Sequence, residues 1–211
     1  MIKVYLLGAG KHAAELSEYF NSSKAYELAG YITNVADAVN HPNLAKPIIS
    51  LSYFLKNKPA SLNISLIGAI GNYERKTIIE QLENKGYQFI NIIHHHNYIS
   101  SSIKIGYGNC IAPGCVINAN VQIGNHCIVN SNSNISHDCI FENYVTISPG
   151  VTIAGNVMIS EGAFIGAGAT VIPGITIGKG AYIAAGACVT HNVPENVMVA
   201  GVPAKVKKTI Y

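Results

Sequence analysis

The feature that most restricts this chain is a repeat of six. Stepping six residues at a time from Ile105 gives Ile111, Ile117, Ile123, Val129, Ile135, Phe141 and Ile147, then Ile153, Ile159, Ile165, Val171, Ile177, Ile183 and Val189. All of these fifteen stops are apolar, and all but Phe141 are β-branched. Two residues before each stop the chain is mostly small or apolar, as at Cys115, Val121, Cys127, Cys139, Val145, Val151, Ala163 and Ala181. A period of six fits neither the 3.6 of a helix nor the 2 of an ordinary strand. It is the mark of a parallel β-helix, in which each hexad makes one flat face and buries one branched side chain. Three faces close a triangular coil, so residues eighteen apart in this sequence should stack. Chance alternation in an antiparallel domain would not hold phase over fifteen hexads without an insertion.

The chain before the repeat reads differently. The apolar run Ile2–Leu7 ends in Gly8-Ala9-Gly10-Lys11-His12-Ala13, followed by a helical pattern through Ala14, Leu16 and Phe20. Strand, glycine turn and helix suggest a nucleotide-binding unit, because glycines let backbone N–H groups approach a phosphate at a helix N-terminus. The third glycine of such a fingerprint is Ala13 here. A second strand, Leu28 to Thr33, ends in Thr33-Asn34 where a dinucleotide-binding protein carries an acid for the ribose. Leu62 to Ile67 gives a third strand, then the Gly68-Ala69-Ile70-Gly71-Asn72 turn, a helix from Tyr73 to Lys85 and a fourth strand, Tyr87 to Ile93. Between Asn34 and Ser50 a loop with Pro42, Asn43 and Pro47 belongs on the surface. Alternating strands and helices imply a small parallel α/β domain. The expected organisation is therefore a Rossmann-like domain over 1–96 and a β-helix over 97–211, its first coil near Ile99 and its last near Val193, with a short basic tail.

Composition excludes several partners. The chain has 211 residues, 49% hydrophobic and 12% charged, yet no apolar run approaches the ~20 residues that span a bilayer. MIKVYLLGAG lacks a basic stretch before a long apolar core, so it reads as a buried strand and not a signal peptide; a cytoplasmic protein is expected. A net charge of +3, scattered along the chain, does not argue for nucleic acid. The low charge and uncovered apolar flanks predict an oligomer. The five cysteines show no CxxC spacing; Cys115, Cys127 and Cys139 read as compact apolar filler. His94-His95-His96 reads as a solvated linker, since neighbours in an extended chain point to opposite sides.

One corner of the repeat departs from its Gly, Asn, Ser and Ala pattern. His137-Asp138 follows the inward Ile135 by two residues, one coil from Ala119 and one coil from Gly155, both small. A histidine with space around it and an acid beside it has what a general base needs: a pKa near neutrality and a group to fix its tautomer. The bland alternative is a surface histidine with an incidental neighbour. His126 and His191 serve as controls, both expected on the solvated surface.

GAGKHA, the IGAIGN turn, the His-Asp-Cys element, SPGVTIAGNV and GVPAK together resemble the bacterial sugar acetyltransferases of the sialic-acid O-acetyltransferase type, close to UDP-4-amino-sugar and perosamine N-acetyltransferases. The resemblance implies left-handed β-helix trimers that use acetyl-CoA, with active sites between subunits and no metal. It implies that His137 is the base, Asp138 its support, and Gly155 the residue whose N–H meets the thioester oxygen. Ala167 and Ala185 resemble the smooth wall along which pantetheine lies beside Gly155. Gly8, Gly10, Lys11 and His12, with Asn34, Gly71 and Asn72, match the nucleotide-sugar site. Two positions depart from the pattern: Thr146 stands where many relatives have a second histidine, and Thr33-Asn34 where UDP-sugar binders have paired acids. The expected activity is acetyl-CoA-dependent N-acetylation of an amino-sugar, most readily one linked to a nucleotide, for bacterial surface glycans. O-acetylation of sialic acid is the near alternative. The distant one is a zinc hydrolyase of the γ-carbonic-anhydrase kind, for which His126 and His137 are available but do not share a column.

Overall fold

The computed structural model describes residues 1–20, 25–34, 44–60 and 64–210. The chain divides into two compact units, Met1–Ile92 and Ile93–Tyr211. The division falls before His94-His95-His96, not after it.

The first unit is built on a parallel sheet of β1 (Ile2–Leu7), β2 (Tyr26–Thr33), β3 (Ile48–Ser50), β4 (Ile64–Gly68) and β5 (Gln88–Phe89), in the order β3-β2-β1-β4-β5. Central β1 is apolar from Val4 to Leu7 because both its faces are covered there: Val4 and Leu6 are fully buried, Leu7 nearly so. Helix α1 (Lys11–Glu18) lies between β1 and β2, α2 (Leu51–Asn57) between β3 and β4, and α3 (Arg75–Glu83) between β4 and β5. β3 and α2 went unrecognised in the sequence, where only a loop to Ser50 was expected. Ser50 Oγ caps α2 by accepting from the Tyr53 N–H at 3.1 Å. Phe54 then buries its ring against Tyr5 at 5.3 Å and Tyr87 at 5.2 Å. Of the expected surface loop, Pro47 is exposed, while Pro42 and Asn43 lie outside the described residues, as does Leu62 at the expected start of the third strand.

The expected fourth strand, Tyr87 to Ile93, is two elements. Gln88–Phe89 joins the first sheet, whereas Ile92–Ile93 is the first strand of the β-helix. Ile93 is in phase with Ile99 and Ile105, so the six-residue period begins one step earlier than expected. Between Ile93 and Ile99 the chain bends, and the three imidazoles cluster instead of alternating: His94 and His95 stack at 4.5 Å, and His96 meets His95 edge-on at 4.1 Å. Burial, reinforced by the neighbouring rings, lowers the His94 pKa.

The second unit is a left-handed parallel β-helix with three sheets, built of two-residue strands as far as Cys188–Val189. Residues eighteen apart pair in register, as in Ile117↔Ile135↔Ile153↔Val171↔Val189. These side chains form one continuous core. Every sixth residue at the corners takes a left-handed conformation, with φ near +60° at Asn120, His126, Asn132, Asp138, Tyr144 and Asn156. The inward thiols do more than fill space. Cys115, Cys127 and Cys139 each donate to a corner carbonyl fifteen residues on, that of Asn130 (3.3 Å), Glu142 (3.1 Å) and Ala154 (3.1 Å). Nor does the coil stop after Val193. Val197–Ala200 pairs parallel with Tyr182–Ile183, and Lys205–Thr209 returns antiparallel along its edge. Val199 stacks on Ile183 sixteen residues away, not eighteen, so the side-chain column continues where the six-residue phase is lost. Among the described residues no helix is long and apolar enough to cross a membrane.

Candidate active site

Strand Asn134–Ile135 ends at the corner Ser136-His137-Asp138, and Cys139 returns the chain to the interior. Asp138 has φ +59°, a conformation Asp tolerates better than most residues. Its N–H donates to Ala119 O at 3.0 Å, fixing the corner on the coil below. Its carboxylate turns back on its neighbour, with Oδ2 2.8 Å from His137 Nδ1. The other carboxylate oxygen accepts from Asn120 Nδ2 at 3.0 Å. The hydrogen bond from His137 and then that from Asn120 hold the Asp138 carboxyl below the usual carboxylate range. An ionised carboxylate only accepts, so His137 Nδ1 carries the proton and Nε2 presents a lone pair.

The His137 ring leans on Gly155, one coil above. A Cβ at Gly155 would lie 2.7 Å from His137 Cε1 and 2.8 Å from Nε2, so only glycine admits this approach. The His137 side chain is 59% exposed, open to a reactant. Asn120 was missed in the sequence reading, although eighteen residues separate it from Asp138 and the stacking rule reaches it. Its own N–H donates to Ser102 Oγ at 2.9 Å, giving a polar column of Ser102, Asn120 and Asp138. These three, with Lys104, Gln122 and Ile140, line a cleft of about 410 Å³ beside the dyad.

Two expectations need correcting. Ala167 and Ala185 are both exposed and share a corner, Ala167 O accepting from Gly186 N at 2.8 Å, but Gly155 is not beside them. Gly155 follows Thr152–Ile153 of the six-stranded sheet, whereas Ala167 and Ala185 follow Phe164–Ile165 and Tyr182–Ile183 of the eight-stranded sheet. Twelve residues from Gly155 to Ala167 advance the coil by two faces; only eighteen return to the same corner. The second correction is His126. It is 3% exposed, stacked on Tyr144 at 5.1 Å and edge-on to Tyr107 at 5.2 Å, not on the solvated surface. His191 is exposed, as expected, and Thr146 is buried. Among the described residues no group of three or more His, Cys, Asp or Glu side chains is placed to hold a metal ion.

The residues matched to the nucleotide-sugar site all lie at the carboxyl edge of the first unit's sheet, where its strand order reverses between β1 and β4. Gly8, at φ +126°, meets the other loop so closely that a Cβ would lie 2.7 Å from Ala69 O. Gly10 precedes α1, and Lys11 and His12 open it. His12 Nδ1 lies 3.6 Å from Glu15 Oε2, and burial lowers its pKa against the pull of Glu15. Asn34 is exposed just beyond β2, and Gly71 is exposed with open space where a Cβ would lie. Asn72 donates to Glu74 Oε2 at 2.9 Å, and its carbonyl accepts from Arg75 Nη1 at 2.9 Å. Arg75, a buried cation at this edge, was not singled out in the sequence; nothing but its place after the glycine turn could have marked it.

Residues 156–191 match the bacterial transferase hexapeptide family, described by six repeats. No curated protein matches the chain in sequence. Solved structures do. PerB of Caulobacter crescentus, a complex with CoA and GDP-perosamine, is 32% identical with a TM-score of 0.88, the match covering 98% of this chain and 97% of that one. The acetyltransferase domain of PglB from Neisseria gonorrhoeae is 30% identical over 98% of this chain and 100% of its own, with a TM-score of 0.88; it has also been solved with acetyl coenzyme A. WeeI from Acinetobacter baumannii is 29% identical over 98% and 100%, with a TM-score of 0.84. With its repeat, its two-unit architecture and this end-to-end likeness, the chain belongs to the hexapeptide-repeat acetyltransferases, in the group that includes the perosamine N-acetyltransferase of Caulobacter crescentus.

Proposed function

We propose that the protein transfers the acetyl group of acetyl-CoA to the amine of a nucleotide-linked amino-sugar. The observation that carries this reading is the His137–Asp138 pair leaning on Gly155, in a chain alike from end to end to an enzyme solved with CoA and GDP-perosamine. His137 Nε2 takes a proton as the amine attacks the thioester carbon. Asp138 fixes the tautomer and supports the imidazolium that forms. The Gly155 N–H donates to the oxygen of the tetrahedral intermediate, a contact typically worth about 3 kcal/mol of barrier. The intermediate collapses with cleavage of the carbon–sulfur bond, and the proton on His137 passes to the departing thiolate. No acyl-enzyme is required, and the thiols are buried, Cys188 excepted.

The nucleotide is taken at the carboxyl edge of the first unit by Gly8, Gly10, Lys11, His12, Asn34, Gly71 and Asn72, with Arg75 supplying positive charge. The working form is a homotrimer. Ala167 and Ala185 lie at a different corner from Gly155, so they can wall the pantetheine beside Gly155 only if they come from a neighbouring subunit. The enzyme works in the cytoplasm, where acetyl-CoA and nucleotide-sugars are found and free cysteines persist.

Turnover of acetyl-CoA against UDP-, GDP- and CMP-linked amino-sugars and free sialic acid tests this. Acetylation of an amino-sugar nucleotide is expected. Turnover of sialic acid alone would replace the amine with a hydroxyl acceptor and place the chain with the sialic-acid O-acetyltransferases.

A further inference from the structure

The Ala154–Gly155 peptide is held from inside the coil. Its carbonyl faces the interior and accepts from Cys139 Sγ at 3.1 Å. The peptide is trans, so its N–H, that of Gly155, points the opposite way, outward, at the corner on which the His137 ring leans. Cys139 is fully buried. Its column neighbours one coil away are Val121 and Val157, which have no donor to offer. The same thiol lies 3.7 Å from His137 O, and that carbonyl accepts from Asn156 N at 3.0 Å. One side chain thus ties the corner that carries the base to the corner that carries the amide.

We infer that Cys139 is a positioning residue for acetyl transfer: its S–H, bonded to the Ala154 carbonyl, aims and polarises the Gly155 N–H at the oxygen of the tetrahedral intermediate. This rests on the acetyltransferase reading above. A bond to the carbonyl end of a peptide strengthens donation from its N–H end, because linked hydrogen bonds polarise one another. A thiol is a weak donor, and the effect is correspondingly modest. Burial raises the Cys139 pKa, which keeps the proton on sulfur.

The molecule carries its own control. Cys127 makes the same bond, to Glu142 O at 3.1 Å, at a corner without the dyad. Loss of either thiol therefore removes an equivalent piece of coil packing, but only Cys139 lies under the amide of the site. The test is steady-state kinetics on the full chain, with acetyl-CoA and whichever UDP-, GDP- or CMP-linked amino-sugar turns over fastest. Cys139→Ala is expected to lower kcat about three- to fivefold while leaving both KM values near their starting point. Cys139→Ser, which keeps a donor, should restore kcat, and Cys127→Ala should leave it unchanged. Cys139→Val, whose shape the column already accepts at Val121 and Val157, should repeat the alanine result and covers the case in which alanine fails to fold. The inference is overturned if Cys139→Ala and Cys139→Val keep full kcat while His137→Ala is inactive, or if Cys127→Ala loses as much as Cys139→Ala. A protein with no turnover on any amino-sugar would remove the underlying reading, and the inference with it.

Discussion

His137-Asp138 and His126 occupy two corners of the same coil, eleven residues apart, and the coil treats them in opposite ways. Both corners hold a non-glycine residue in the left-handed conformation, φ +59° at Asp138 and +57° at His126. At the first, the coils below and above offer Asn120 and Gly155: one binds the carboxylate, the other clears a seat for the imidazole. At the second, Tyr107 and Tyr144 close over the ring, leaving it 3% exposed. A residue's chemistry in a β-helix is thus decided less by its sequence neighbours than by the residues a full coil away. An imidazole between a carboxylate and a glycine can move protons. One enclosed by two phenol rings is closed to a reactant.

The largest effect that could break this contrast is loss of the two histidines in turn. His137→Ala should cut kcat by about two to four orders of magnitude, the usual cost of losing a general base, with the fold intact. His126→Asn keeps a side chain that tolerates the left-handed corner but removes the stacked ring, so it should leave kcat alone and cost about 0.5–1.5 kcal/mol in stability. Kinetics and thermal unfolding on both variants decide the matter. Near-normal kcat in His137→Ala, or collapse of kcat in a folded His126→Asn, would reverse the assignment of the two corners.

The third corner, with Ala167 and Ala185, sharpens the comparison by asking whose corner it serves. Ala167→Leu should raise the KM for acetyl-CoA roughly tenfold or more, because bulk is added to an exposed wall where it displaces no core residue. A mixed assembly then separates the geometries. If Ala167 faces the His137 of another subunit, unfolding and reassembling His137→Ala with Ala167→Leu in equal amounts gives trimers in which about a quarter of sites have both residues intact. If the two act within one chain, every site keeps one defect and no activity returns. A monomeric mass by light scattering together with full activity would exclude the shared site altogether.

How much of this was legible follows the range of the forces involved. The inward columns were readable because burial in a coil is strictly periodic, and stacking at eighteen residues placed Gly155 on His137 without coordinates. The same count reaches Asn120 from Asp138, and it separates Ala167 from Gly155, which the resemblance alone sets side by side. His126 reads as a surface residue in the sequence because its burial depends on Tyr144, a distant residue in sequence but the next layer in space. In the first unit no such ruler exists. β3 is three residues and α2 seven, too short for periodicity to announce them, and Phe54 reveals its place only through Tyr5 and Tyr87.

The smallest effect concerns Asn120, the neighbour that makes the His137 corner unlike the other two. Its Nδ2 holds the Asp138 oxygen that His137 does not, and both bonds favour the ionised carboxylate. A carboxyl whose pKa is lowered by folding contributes stability that is present above its unfolded value and lost as pH falls through the folded one, here below about pH 4. Asn120→Ala removes one of the two bonds, so the Asp138 pKa should rise toward the ordinary carboxylate value and the loss should begin at higher pH. A 13C carboxyl NMR titration reads that midpoint directly. At neutral pH Asp138 stays ionised in either protein, so what changes there is aim: a carboxylate free to turn holds the imidazole tautomer less firmly. The expected result is a fall in kcat of about two- to tenfold, the range of one ordinary net hydrogen bond, since Asn120 acts on the imidazole only through Asp138, with KM unmoved. Asn120→Asp should be worse than alanine, since it sets a second negative charge against Asp138. If Asn120→Ala leaves both the NMR midpoint and kcat where they were, the coil below does not govern this corner, and the difference between the two histidines must be sought in Gly155 alone.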